Sequence, residues 1–128
     1  MPAYDSVEFD PPAPLAYVVL RAPTTGMTRP DTPMLLDTGA DVSLISEMVA
    51  QQLGATIVRN HDYELVGFDG SSSFAPVAQL EVVFCRRTFR GRFLLVDQTW
   101  GILGRNILNA VPLLLDGPKL TWEEVRRG

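Results

Sequence analysis

Apolar residues along the chain fall into short runs divided by polar, glycine-bearing or proline-bearing segments, which is the pattern of a domain built from many short strands. Residues 15–21 (Leu-Ala-Tyr-Val-Val-Leu-Arg) are apolar and β-branched enough for a core strand. The stretch 22–32, with its prolines, glycine and threonines, predicts a loop, and residues 34–36 predict a buried strand that ends at Asp37. A further short strand is expected over 42–45. Ser46 is then placed to cap a helix over 47–53 that stops at Gly54. Residues 63–68 and 74–84 read as the two strands of a hairpin around the Asp69-Gly70 turn, and 89–96 as one more strand. A short helix is predicted over 103–109, followed by 111–115, a turn at Asp116-Gly117-Pro118, and a closing strand over 119–122. Many strands with two short helices predict a mostly β domain, closed or sandwiched.

With 128 residues the chain has room for one core, and residues 15–122 are expected to form it. Pro2, Pro11, Pro12 and Pro14 predict an extended arm over 1–14, and residues 123–128 a charged tail. A net charge of −4 argues against a nucleic-acid partner, although Arg86, Arg87, Arg90 and Arg92 lie close together. One cysteine, Cys85, and one histidine, His61, leave no disulfide and too few ligands for a histidine- or thiolate-rich metal centre. No apolar run approaches the ~20 residues of a membrane span, and the start lacks the basic-then-apolar pattern of a signal peptide, so no membrane partner and a cytoplasmic location are expected.

The sharpest chemical signal is Leu35-Leu36-Asp37-Thr38-Gly39-Ala40-Asp41, an acidic turn between apolar flanks. Gly39 lets the chain turn tightly behind Asp37 and lets another chain come near the carboxylate. Amide hydrolysis by carboxylates needs one group to take a proton from water while another donates one to the carbonyl oxygen. No second Asp-Thr-Gly or Asp-Ser-Gly exists in the sequence, because Asp69-Gly70 and Asp116-Gly117 lack the middle hydroxyl residue and Asp31-Thr32 runs into Pro33. A two-fold homodimer supplies the missing carboxylate, since a residue near the axis meets its own symmetry mate.

Residues 36–41, followed some sixty residues later by Ile102-Leu103-Gly104-Arg105-Asn106-Ile107-Leu108, resemble the paired signature of retropepsins, the single-domain aspartic peptidases of retroviruses and their cellular relatives. The resemblance implies a closed, barrel-like acid-protease fold, active as a two-fold dimer on peptide or protein substrates, without metal or cofactor. It implies that Asp37 is catalytic, within Asp37-Thr38-Gly39, and that Thr38 hydrogen-bonds across the dimer axis. Leu35, Ala40, Asp41, Trp100 and Ile102 would contact substrate, and Arg105 would pair with Asp41 and brace the interface. The hairpin bearing Phe68, Asp69 and Gly70 would be the flap over the peptide. Ala40 stands where pepsin-like enzymes carry a serine or threonine that stabilises the ionised carboxylate, which implies a mildly rather than strongly acidic optimum. The reading from a different class is a catalytically silent relative, a dimerisation or peptide-binding module that grips an extended chain by strand addition.

Overall fold

The computed structural model describes residues 2–59, 64–66 and 72–126. Its elements run β1 (Tyr4–Asp5), β2 (Ala13–Arg21), β3 (Thr28–Leu36), β4 (Leu44–Ser46), α1 (Glu47–Gln52), β5 (Ile57–Val58), β6 (Glu64–Val66), β7 (Ser72–Phe74), β8 (Val77–Phe84), β9 (Arg87–Val96), β10 (Gly101–Leu103), α2 (Arg105–Leu108), β11 (Leu113–Asp116) and β12 (Thr121–Glu124). Six of the strands pair in the order β2-β3-β10-β4-β9-β8, and β8 pairs back onto β2, so the sheet closes on itself as a barrel. Closure leaves no open edge among those six strands.

Alternation along the strands fills the interior. On β2 the even positions Ala16, Val18 and Leu20 face inward, and Met34 and Leu36 of β3, Leu80 and Val82 of β8, Leu95 of β9 and Leu103 of β10 meet them there. Each fully buried leucine stabilises the fold by roughly 1.5–3 kcal/mol relative to an exposed one. Two short helices plug the ends through Val49 and Ala50 of α1 and Ile107 and Leu108 of α2. No helix among the described residues is long and apolar enough to cross a membrane.

Several elements differ from the sequence expectation, each for a local reason. β3 begins at Thr28, well inside the expected loop. Residues 28–33 pair only with β2, because β10 joins β3 at Met34, so Pro30 and Pro33 sit where no second neighbour needs their missing N–H. The register shift between Val18 and Leu20, with Asp31 at φ 54°, absorbs the irregularity. The expected strand over 74–84 is two, β7 and β8, divided at Ala75-Pro76; β7 pairs with β6 and β8 with β9. Leu103 belongs to β10, and the helix starts at Arg105. Ser46 precedes α1 but makes no side-chain cap, and its buried hydroxyl has no partner, because pairing with Val96 of β9 holds its backbone as the last residue of a strand.

Both termini are more structured than composition predicted. Tyr4 and Asp5 pair with Pro14 and Ala13, Tyr4 N–H donates to Leu120 O (2.8 Å), and Trp122 N–H donates to Pro2 O (3.0 Å). Glu123 and Glu124, assigned to a tail, lie in β12, where Glu124 accepts from Arg86 (3.2 Å) and Arg87 (2.7 Å). The hydrogen bond from Arg87 is the main reason that the Glu124 carboxyl is held below its ordinary range. Trp122 is buried against Phe84 and donates its indole N–H to Leu15 O at 3.2 Å.

Candidate active site

Asp37 continues the line of β3 beyond its last assigned residue, since its N–H donates to Leu103 O at 3.0 Å, one step past the Leu36–Leu103 pair. The turn then closes on the aspartate itself: Gly39 N–H donates to Asp37 Oδ1 (2.9 Å) and Ala40 N–H to Asp37 O (3.2 Å). One carboxylate oxygen is thereby fixed by a backbone donor. The side chain is half-buried, while Thr38, Gly39 and Asp41 are exposed.

Residues 40–44 lie directly against residues 101–105, and two glycines permit that closeness. A β-carbon on Gly104 would lie 2.5 Å from Val42 O, and one on Gly101 would lie 2.5 Å from Leu44 O. Hydrogen bonds then join the segments. Arg105 N–H donates to Ala40 O (2.8 Å) and its guanidinium to Thr38 O (2.7 Å), while the Ser43 hydroxyl accepts from Gly104 N–H (2.9 Å) and donates to Asn106 Oδ1 (2.7 Å). The acidic turn therefore rests on backbone of a segment far away in sequence, as a preorganised site requires.

The structure brings Asp37, Thr38, Gly39, Ala40 and Arg105 together. Within one chain the Arg105 guanidinium goes to the Thr38 carbonyl, and no ion pair joins it to Asp41, contrary to the expectation. Both Asp41 and Arg105 are exposed, where water competes for an ion pair. Leu35 and Ile102 pair directly across β3 and β10, and both are half-buried. Trp100, also half-buried, stacks edge-on against Phe9 with ring centroids 5.1 Å apart. Phe68, Asp69, Gly70 and His61 lie outside the described residues.

Sequence reasoning gave no part to Ser43 or to Phe9. Ser43 carried one readable signal, a hydroxyl interrupting an apolar run; Phe9 carried none, because nothing in a proline-rich arm says where it folds back. Burial, with the nearby Glu124 carboxylate, pushes the Cys85 thiol above the ordinary range and so disfavours its nucleophilic thiolate form. Among the described residues no three His, Cys, Asp or Glu side chains group as metal ligands.

A family model described as "Retroviral aspartyl protease" matches residues 17–116. Among solved structures, the EIAV protease complexed with the inhibitor HBY-793 superposes with a TM-score of 0.59 at 22% identity, over 83% of this chain and 91% of that one. A retropepsin-like aspartic protease from Rickettsia conorii superposes with a TM-score of 0.57 at 20% identity, over 86% and 90%. No curated protein matches the chain. At such identities the superpositions speak for the fold, and the match over 100 residues between 17 and 116 speaks for descent.

Proposed function

Because the chain belongs to the retroviral aspartyl protease family, we propose that it is an endopeptidase whose active centre forms when two copies bring their Asp37 side chains together. The observation that carries this reading is the turn itself: a single Asp-Thr-Gly whose carboxylate accepts from Gly39 N–H and whose backbone is tied to Leu103 and Arg105. One such turn is half of an acid-base pair.

In the dimer the two carboxylates share one proton. The ionised one takes a proton from the attacking water as its oxygen bonds to the scissile carbonyl carbon; the protonated one gives its proton to the carbonyl oxygen. The resulting gem-diol collapses as the amide nitrogen gains a proton and the C–N bond breaks. Water is thus divided between the new acid and the new amine, with no metal, cofactor or covalent enzyme intermediate. Leu35 and Ile102 would line the cleft beside the dyad, and Thr38 would meet its mate beneath it.

The test is cleavage of a peptide library by wild type and Asp37→Ala from about pH 4 to pH 7, with pepstatin alongside and the oligomeric state followed by sedimentation. Cleavage that disappears with Asp37→Ala and yields to pepstatin supports the peptidase. A folded dimer that cuts nothing across that range would identify a peptide-binding module instead.

A further inference from the structure

The N-terminal arm does more than decorate the barrel. With Leu15, Tyr17, Pro33, Thr99 and Trp100 it walls a cavity of about 400 Å³, to which it contributes Asp5, Val7, Glu8 and Phe9. The cavity lies on the face that bears the acidic turn. Leu15 pairs with Leu35, Tyr17 with Pro33, and Ile102 with Leu35, and paired residues project to the same side of a sheet. By the two-residue alternation Pro33, Leu35 and Asp37 share that side, as do Trp100 and Ile102, opposite to the core positions Met34, Leu36 and Leu103. Leu15 is 4% exposed yet lies outside the main core cluster, because the arm and not the barrel interior covers it. Pro33 precedes Asp37 by four residues, a separation of roughly 13 Å along a strand.

We infer that this cavity is a substrate subsite for an arginine or lysine side chain, three to four residues from the cleaved bond. Its walls suit such a group along its whole length. The apolar stem packs against Phe9 and Leu15, the cationic head lies over the Trp100 ring, and the Asp5 and Glu8 carboxylates supply the charge. Neither carboxylate is engaged in an ion pair among the described residues. One oxygen of Asp5 accepts from Glu8 N–H at 2.7 Å, which ties the two residues into one turn, and the other has no hydrogen-bond partner among the described residues. Tyr17, 61% exposed on the rim, offers a further flat surface. The inference rests on the peptidase reading for its substrate but not for its test.

The experiment measures binding to full-length Asp37→Asn, which lacks the carboxylate that cleavage would require. A single arginine is walked along an otherwise neutral ten-residue peptide, with norleucine as the matched apolar control, and affinities are read by calorimetry at low salt. One position is expected to prefer arginine over norleucine about five-fold, as two partly screened ion pairs and a cation–π contact would give. In Asp5→Asn/Glu8→Gln, whose amide at position 5 still accepts from Glu8 N–H, that ratio should fall to within about two-fold of unity, and Phe9→Ala should lower it too. No preferred position, absence of peptide binding, or a preference that survives the double variant overturns the subsite. A wild type that binds with this preference yet cleaves nothing would leave the subsite standing and refute the peptidase.

Discussion

Gly104→Ala tests whether the contact between residues 40–44 and 101–105 holds the site together. The new methyl would lie 2.5 Å from Val42 O, 2.6 Å from Val42 C and 3.0 Å from Ala40 O, all of them backbone or bound to it. Relief requires the segments to part by on the order of 1 Å, since comfortable carbon contacts begin near 3.5 Å. Such a shift breaks or weakens the Arg105 N–H bond to Ala40 O and the Gly104 N–H bond to Ser43. Backbone conformation adds no penalty, because Gly104 is extended at φ −91° and ψ −176°. Overpacking costs about 1–3 kcal/mol and each weakened bond about 0.5–1.5, against ~0.4–1 regained from a stiffer unfolded chain, so a net loss of about 2–3 kcal/mol is expected. That is a large share of the ~5–15 kcal/mol by which domains are stable, and corresponds to a drop of roughly 8–12 °C in Tm. Gly91→Ala is the matched control: it also sits in extended structure, but a β-carbon there meets nothing within 4 Å, so it should be neutral or slightly stabilising. Urea denaturation and thermal melts on both variants decide the matter. Equal stabilities for Gly104→Ala and Gly91→Ala would refute the reasoning.

Two further predictions concern single contacts. Ser43→Ala leaves Gly104 N–H without its acceptor in a buried setting and should cost about 1–3 kcal/mol, read as a lower urea midpoint at unchanged m-value; a midpoint equal to wild type would mean that the hydroxyl carries no weight. Glu124 has a folded pKa held below its ordinary value of 4.5, so its contribution is present above that value and fades as pH falls through the folded one. Wild type should therefore lose stability in that acid window more steeply than Glu124→Gln, and parallel pH profiles for the two proteins would contradict the assignment.

The candidate site was more legible in the sequence than the fold around it. Asp37-Thr38-Gly39 and Gly104-Arg105-Asn106 announce themselves because their chemistry demands particular residues: a carboxylate, a glycine where backbones come close, a guanidinium to brace the turn. Strands β2, β8 and β9 followed from apolar alternation. The first half of β3 did not, since prolines read as a loop until the lack of a second neighbour is known. The β8–β9 turn was equally opaque: Cys85 and Arg86 both take positive φ, 51° and 62°, where glycine or asparagine would have advertised a tight hairpin.

The amino-acid pattern alone determined the apolar faces of strands such as β2, β8 and β9 and the presence of a single Asp-Thr-Gly at residues 37–39, because these depend on residue identity and short-range periodicity. Only the tertiary structure decided that Arg105 serves the Thr38 carbonyl, that Ser43 bonds across sixty-one residues to Gly104, and that the proline-rich arm folds onto Trp100. Those contacts arise when a barrel closes and brings distant segments within hydrogen-bond reach, and no local preference of the chain encodes which carbonyl or ring will be waiting there.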